Sequence, residues 1–525
     1  MPLRGIVARG IWTGDPSRRW VSSVPFENGR VAAEGAPLAN GASDVLHAPQ
    51  GWVLPGLIDA HLHLLMGGLS LSQLDLAGCC SRDEFEAAIA ARHRELPPGV
   101  WLEASGWNEA QWGGGRPDRH WLRSAHDRPV VAWRCDRHVA LVNGAALAQL
   151  DLSHEVPGGT IECAADGSPT GLFLEQAAWK LVIPAVPTPL TETKRAALAR
   201  ATAHLHALGV TSVGAMEYID DLDEILAPAA RTASLGLRVI ATVLDRDRPL
   251  PFERARALGA SDAFGIRGFK SFADGTLGAS TAAVFEAYAD GTGRGELIEH
   301  AARGELAAWM REVLDAGFSP SVHAIGDRAL AAVLAAALTE DRAKRVRFEH
   351  AQTVDPDSLP RFAGRIVSMQ PFHKATDAAL ALTRLGAHRE NRFFRFRDFL
   401  RAGARLAFGS DWPISSADPL EGMRTAITGL ALDGRIHGPS QTLTAVEAID
   451  AYTVGAADCL GASDRLGRLS PGYFADAVIL DRDPLSCDWL NDAPQVLATI
   501  VGGELRYDAL GKFSATCPTD HAVKS

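Results

Sequence analysis

The chain has 525 residues, of which 47% are hydrophobic and 22% are charged, a balance typical of globular proteins with two or three structural units. Its net charge of −11, with no Lys/Arg block, argues against nucleic acid as a partner. The N-terminal stretch lacks the apolar core of a signal peptide, and the longest apolar run, residues 329–338, is about half a membrane span. Because the seven cysteines form no CxxC motif or disulfide framework, we expect a cytoplasmic protein. The acidic balance and the missing basic patch also argue against a membrane partner.

The two ends of the chain share one character. Residues 1–52 are short apolar pieces broken by Gly, Asn and Pro, which indicates strands and turns. Residues 461–525 alternate strands and tight turns in the same way before a tail, as in RLGRLSPGYFADAVILDRDP. We therefore predict that both termini join in one β-sandwich around a different middle, residues 53–460.

The middle repeats a strand-then-helix rhythm. Helical stretches such as TETKRAALARATAHLHALG, RGELAAWMREVLDAG and RALAAVLAAALTEDRA separate most of the strands, and the first two end at Gly. An open doubly wound sheet is the alternative, but the number of strands favours a (β/α)8 TIM-type barrel of the α/β class. The eight predicted strands are Val53–Ile58, Thr211–Met216, Leu237–Val243, Ile266–Phe272, Phe318–His323, Val346–His350, Ile366–Gln370 and Arg405–Ser410.

The connection from His63 to Thr211 is too long for a loop and predicts an inserted subdomain at about residues 70–190. PVVAWRCDRHVALVN and GGTIECAADGSPTGLF read as strands, the second with a turn at Asp166–Gly167. Tryptophans concentrate here, and they either fill a core or wall an apolar pocket. Asp136 and His138 form an alternating pair that we interpret as structural or substrate-side.

The stretch VLPGLIDAHLHL contains the clearest chemical signal. It reads as a buried strand followed by Asp59, His61 and His63 at alternate positions. On an extended backbone these side chains point to the same side, so the two imidazoles can bind one metal ion. His204 and His206 have the same spacing inside a predicted helix, where such positions diverge, and we do not interpret them as ligands.

Further ligand types recur at other predicted strand ends, where barrel chemistry is expected. A single such residue is commonly structural, but this set indicates a divalent metal. His and carboxylate ligands without Cys favour zinc or a similar ion. The residues are Lys270 in IRGFKSFADG, His323 in SVHAIGD, His350 in RFEHAQ and Asp411 in LAFGSDWP.

These blocks resemble the amidohydrolase superfamily. PGLIDAHLHL, GFKSFADGTLG, VHAIGDRA, EHAQ and FGSDWP are similar to its YtcJ-like or N-substituted formamide deformylase branch, the amidohydrolase-3 group, over residues 45–485. The resemblance implies a metal-bearing barrel, a homodimer, and hydrolysis of a C–N bond other than a peptide bond in a small-molecule substrate. It assigns as metal ligands His61, His63, Lys270, His323, His350 and Asp411.

The resemblance also implies that Lys270 is carboxylated on its N6 atom and bridges two metal ions. A neutral amine must attack CO2, and a lysine in an apolar site near cations has a lowered pKa. The alternative is an unmodified Lys270 paired with a carboxylate such as Asp274, with one metal ion in the site.

The expected mechanism uses a metal-activated hydroxide, with Asp411 as general base and proton shuttle to the departing nitrogen. Hydrolysis of an ester or cyclic imide, or a deamination, would use the same site, and a noncatalytic metal- or ligand-binding protein is a further alternative. The candidate substrate contacts are Trp107, Trp412 and the pair Phe372 and His373 in MQPFH, with core packing as the competing interpretation. Residues 274–300 are rich in Gly and are either a lid or a surface loop.

Overall fold

The computed structural model describes residues 2–33, 38, 44–154, 156–339 and 342–511. The tail of the predicted C-terminal unit, from residue 512, lies outside this range. The described residues form an eight-stranded, a seven-stranded and a six-stranded sheet. None of their helices is long and apolar enough to cross a membrane.

The eight-stranded sheet is the predicted barrel. Its strands are parallel and neighbour one another in chain order. Backbone hydrogen bonds between the end of the first strand and the segment after the last strand close the sheet: the Asp411 N–H donates to the His61 carbonyl (2.7 Å), and the His63 N–H donates to the Trp412 carbonyl (2.8 Å). The strands are Leu57–Leu62, Val210–Glu217, Arg238–Val243, Phe264–Phe272, Ser319–Ala324, Arg347–His350, Ile366–Met369 and Arg405–Phe408.

The predicted first strand, Val53–Ile58, is wrong, because it spans two different strands. Val45–Pro55 belongs to the seven-stranded sheet, and the barrel strand begins at Leu57. Gly56 joins them where a Cβ atom would lie 2.2 Å from Thr211 Oγ1, so only glycine fits. His61 therefore lies inside the barrel strand rather than after it.

Helices pack around the barrel, as the strand-then-helix rhythm predicted. The helix Thr191–Ala207 precedes Gly209, whose φ of 81° suits glycine, and Leu306–Asp315 precedes Gly317 at φ 89°. The α-helices are Leu64–Ser70, Arg82–Glu95, Gly144–Leu147, Thr191–Ala207, Ile219–Asp221, Ala227–Arg231, Phe252–Ala257, Glu299–Ala302, Leu306–Asp315, Asp327–Leu338, Pro371–Leu385, Phe396–Arg401, Pro419–Thr428, Ala445–Ala451 and Val454–Cys459.

Both chain ends meet, as predicted, but their described strands form one seven-stranded sheet rather than the two stacked sheets of a β-sandwich. A single apolar core draws on both ends, including Ile6, Phe26, Ile479 and Ile500. In sheet order its strands are Glu504–Asp508, Val496–Val501, Ala477–Leu480, Val45–Pro55, Gly5–Trp12, Trp20–Glu27 and Arg30–Val31.

The inserted unit is built on the six-stranded sheet. Its strands in order are Gly159–Cys163, Pro169–Glu175, Val139–Val142, Val130–Arg134, Leu102–Trp107 and Leu74–Asp75. The tryptophans of this region fill its cores, so packing explains them. Trp107 corrects a specific expectation: its side chain is fully buried, packs beside Trp112 and donates from Nε1 to the Ala132 carbonyl (2.9 Å), which leaves no surface for a substrate.

Candidate metal centre

The carboxylate of Asp411 is the point on which the strand-end histidines converge. His61 Nε2 lies 3.4 Å and His63 Nε2 lies 3.3 Å from Asp411 Oδ1. The alternating direction of side chains on the first strand brings both imidazoles to the same side. Asp411 has a φ of 60°, a conformation that is strained for a residue with a Cβ atom and is common at functional sites.

His350 reaches the same centre through a second strained backbone. Alternation along Arg347–His350 would direct consecutive side chains to opposite faces. The φ of 70° at His350 breaks this alternation, so Glu349 and His350 both face the centre. The His350 ring centroid lies 5.0 Å from that of His61 and 4.4 Å from that of His323.

Each of three histidines has one ring nitrogen engaged by an oxygen acceptor. His61 Nδ1 bonds to Glu349 Oε2 (2.7 Å), and His350 Nδ1 bonds to Gln370 Oε1 (2.8 Å). His323 instead uses Nε2, which bonds to the Gly275 carbonyl (3.1 Å). These acceptors place the ring hydrogen on the engaged nitrogen. The other nitrogen of each neutral ring, which is His61 Nε2, His350 Nε2 or His323 Nδ1, then carries a lone pair, the usual arrangement in a metal-binding histidine.

Lys270 is buried beside this cluster. Burial lowers its pKa to about 8, although Glu349 and Asp411 act in the opposite direction. Asp274 is not its partner, because the Asp274 carboxylate accepts hydrogen bonds from the backbone N–H groups of Ala283, Ile325 and Gly326 (2.8–3.0 Å). The alternative of a Lys270–Asp274 ion pair therefore loses its support.

The electrostatics suit neutral imidazoles around one anion. Burial and the Lys270 charge lower the pKa of His61 to about 4 and that of His323 to about 3. Burial raises the pKa of Asp411, but His61, His63 and His350 lower it more strongly, and the net pKa is well below its usual value. Neutral imidazole nitrogens and an ionised carboxylate are the forms that bind metal ions.

These residues fit a divalent cation. Ligand atoms of His61, His350 and Asp411 lie within 4.8 Å of one another. His63 also contacts the Asp411 carboxylate, His323 packs against His350, and Lys270 lies close enough to lower the pKa of His61. The donors are nitrogen and oxygen atoms without thiolate, a set that suits zinc and similar ions.

The sequence left several supporting residues unassigned. Glu349, which orients His61, also accepts from Ser321 Oγ (2.5 Å) and pairs with Arg347 Nε (2.8 Å). Asp59 accepts from the backbone N–H groups of His61 and Ser410 (both 3.0 Å), and it ties the first strand to the segment after the eighth. A signal for Glu349 was present, since a charged residue inside a fully buried strand requires a partner.

The segment MQPFH contributes His373 rather than Phe372. His373 Nε2 is buried and lies 3.8 Å from Asp411 Oδ2. Phe372, the adjacent residue on the helix Pro371–Leu385, is half-buried and makes no described contact with this centre. Trp412 is buried, stacks on His204 at 5.3 Å, and covers Gly67, which favours packing over substrate contact.

The segment of residues 274–300 is packed in its first part and largely exposed in its second. Ala282, Ala283, Val284 and Tyr288 are buried, and the Tyr288 hydroxyl donates to the Ala282 carbonyl (2.7 Å). The first part of the segment therefore packs beside the fourth and fifth strand ends, whereas Phe285 and residues 289–294 are exposed, as expected of a surface loop.

A closed parallel barrel whose strand ends gather histidines, a lysine and an aspartate defines the class of metal-dependent barrel hydrolases. The model of the amidohydrolase family that matches this chain covers residues 44–507. The chain belongs to that family, which confirms the resemblance drawn from its sequence blocks.

Individual relatives agree with this assignment. The chain is 32% identical over 480 residues to "Putative amidohydrolase YtcJ" of Bacillus subtilis, covering 87% of this chain and 89% of that protein. It is 27% identical to the N-substituted formamide deformylase of Arthrobacter pascens, covering 96% and 98%. A crystal structure of an uncharacterized metal-dependent hydrolase from Pyrococcus horikoshii is similar at a TM-score of 0.75 and 28% identity, covering 93% of this chain and 99% of that one.

Proposed function

We propose that this amidohydrolase cleaves the C–N bond of a small amide, N-formyl or related compound, using one or two divalent ions, most suitably zinc. The observation that carries the proposal is the approach of His61 Nε2 and His63 Nε2 to Asp411 Oδ1, while Glu349 engages the second ring nitrogen of His61. The His350 ring lies beside the same carboxylate. Similarity to an N-substituted formamide deformylase over nearly the whole chain supports the choice of bond.

His61, His63, His323, His350 and Asp411 would hold the cation. When bound, such a cation lowers the pKa of a water molecule to near 7 and polarises the substrate carbonyl. Asp411 then accepts the water proton through its free carboxylate lone pairs and later donates it to the departing nitrogen. Its placement among four imidazoles keeps it ionised and therefore able to accept that proton.

His373 has a role in the same proposal. The Gln352 side-chain amide donates to His373 Nδ1 (3.4 Å), which places the ring hydrogen on Nε2. Nε2 is buried and has no described hydrogen-bond partner. We infer that it donates to the oxyanion that develops on the substrate carbonyl.

Lys270 is proposed to react with CO2 when its amine is neutral, forming a carbamate and releasing one proton. Burial favours that neutral amine. The carbamate would supply two oxygen atoms and permit two metal ions.

Hydrolysis of an ester or cyclic imide, or a deamination, would use the same residues, and a noncatalytic binding protein would keep the fold. A cytoplasmic location fits the six described cysteines, all of them unpaired. The homodimer stays a prediction.

The test is a hydrolysis assay on zinc-loaded protein with N-formyl amines, N-acyl amines, lactones and imides. We expect release of amine, loss of activity with a chelator, and recovery when zinc is restored. Asp411→Asn should keep its fold and most of its metal yet lose turnover by several orders of magnitude. Hydrolysis by Asp411→Asn at the parent rate would exclude the proton-shuttle role, and an inactive, metal-free parent would exclude the hydrolase.

A further inference from the structure

A second polar cluster lies in the inserted unit, between the strands Val130–Arg134 and Val139–Val142. Arg134 pairs with Asp136 (Nη1–Oδ2, 2.5 Å) and with Glu109 (Nε–Oε2, 2.8 Å). Asp136 Oδ1 also accepts from the His138 backbone N–H (3.0 Å). These bonds fix the turn that carries His138, and the metal centre uses none of them.

His138 is held on two sides. Its Nδ1 bonds to Glu175 Oε2 (2.8 Å), and its ring lies edge-on to Trp179 with the centroids 4.8 Å apart. The side chains of His138 and Glu175 are 11% and 14% exposed, so they are largely buried but still accessible to solvent. Within the described part of the chain, no hydrogen bond or ion pair engages the other ring nitrogen, Nε2.

The backbone around this pair is strained. Arg137 has a φ of 57° and Glu175 has a φ of 52°, and both carry side chains. The rare π-helical turn Ala178–Val182, which supplies Trp179, follows directly. Left-handed backbone at residues with a Cβ atom is strained, and such strain is typical of functional sites.

Hydrogen bonds lead from this pair to residues beside the metal centre. Glu175 Oε1 accepts from Thr281 Oγ1 (2.9 Å), and the same oxygen of Thr281 accepts from the Thr276 N–H (2.9 Å). The adjacent Gly275 carbonyl orients His323 Nε2. The charge of His138 is also one of the smaller causes of the lowered pKa of His323.

We propose that His138, oriented by Glu175, is the residue through which the inserted unit binds substrate. Its Nε2 would donate to an oxygen of the substrate remote from the bond that is cleaved. The substrate class is then a small amide with a second acceptor, a carbonyl or carboxylate oxygen. The inference rests on the proposed hydrolase function and adds a residue that determines which substrates the hydrolase selects.

The chemistry of the pair supports a donor. The Glu175 carboxylate can only accept, so Nδ1 carries a hydrogen. Burial lowers the pKa of His138, but Glu175 and then Asp136 raise it more strongly, and the net pKa lies above its usual value despite Arg134. A protonated ring presents a second hydrogen on Nε2, and a bond from it to a carboxylate is charge-assisted.

The test uses two metal-binding probes that differ at one end, succinic acid monohydroxamate and butyrohydroxamate. Calorimetric titration of the zinc-loaded parent should show preference for the carboxylate-bearing probe of about 10–100-fold, the value of one hydrogen bond to a charged group. His138→Gln and Glu175→Gln should each lose most of this preference, while zinc content and binding of butyrohydroxamate stay unchanged. The double variant should lose little more, because the two residues act as one unit.

His93→Gln is the matched control, since His93 is a half-buried histidine of the same unit that bonds to Arg128 (2.9 Å) and should leave the preference intact. If His138→Gln does not fold, Glu175→Gln carries the test. The inference about His138 would be overturned if the folded variants kept the full preference for the carboxylate-bearing probe, or if the parent bound both probes equally. Neither result would affect the proposed hydrolase function. Failure of the parent to bind zinc or either hydroxamate would overturn the proposed hydrolase as well.

Discussion

Replacing Glu349 with Gln should damage both the stability of the barrel and the affinity for metal. The Glu349 carboxylate is fully buried and contacts three side chains, through Arg347 Nε (2.8 Å), Ser321 Oγ (2.5 Å) and His61 Nδ1 (2.7 Å). Glutamine has nearly the same shape but no charge. It would leave the Arg347 guanidinium, 1% exposed, without a counter-charge.

The expected magnitude follows from burial. Removing one partner of a buried ion pair lowers the free energy of unfolding by about 3–5 kcal/mol, because the remaining charge stays desolvated. Loss of the residue that orients a metal-binding histidine costs about 10–100-fold in metal affinity. Glu192→Gln is the matched control, since Glu192 pairs with Arg195 at 2.6 Å but is 81% exposed. An exposed pair of this kind contributes at most about 1 kcal/mol.

Urea denaturation of the metal-free proteins measures the first effect, and zinc competition with a chromogenic chelator measures the second. We expect a large decrease in the urea midpoint for Glu349→Gln and almost none for Glu192→Gln. Equal midpoints for the two variants, together with parental zinc affinity, would refute the assigned role of Glu349.

Three further predictions concern residues outside this network. Glu217 is buried and bonds to the Leu65 N–H (3.0 Å), and burial raises its pKa from 4.5 to about 8. The parent should therefore lose stability relative to Glu217→Gln by up to about 1.4 kcal/mol per pH unit between pH 4.5 and 8 and no further above it, and parallel pH profiles of denaturation would contradict this. Trp107→Ala should cost about 3–5 kcal/mol of stability without changing zinc content, and a variant that loses only substrate affinity would restore the substrate-contact interpretation. Gly67→Ala places a Cβ atom 2.2 Å from the Trp412 ring, so a decrease of about 1–3 kcal/mol is expected by denaturation, and an unchanged midpoint would argue against that contact.

Much of the fold was predictable because barrel strands are buried on both faces and read as continuous apolar runs. Seven of the eight predicted strands agree with the structure to within one or two residues. The exception, Val53–Ile58, failed because an apolar run carries no mark where the chain leaves one sheet for another. Only the close approach of Thr211 to Gly56 reveals that junction.

Those residues of the metal centre that lie at strand ends could be predicted from the sequence. His61, His63, His350 and Asp411 come together because the carboxyl ends of barrel strands share one rim. His373 was a candidate only together with Phe372, because the sequence MQPFH does not show which of two adjacent side chains at a helix start turns inward. The partners of His138 were equally hidden, since Glu175 and Thr281 lie far from it in the chain.

The most direct test of the metal centre is an anomalous-difference map from crystals of the zinc-loaded protein, recorded on both sides of the zinc absorption edge. We predict a peak between His61 Nε2, His63 Nε2 and Asp411, and density extending from Lys270 where a carbamate is present. Zinc bound elsewhere, or no peak among these side chains in a folded and zinc-saturated protein, would contradict the assignment.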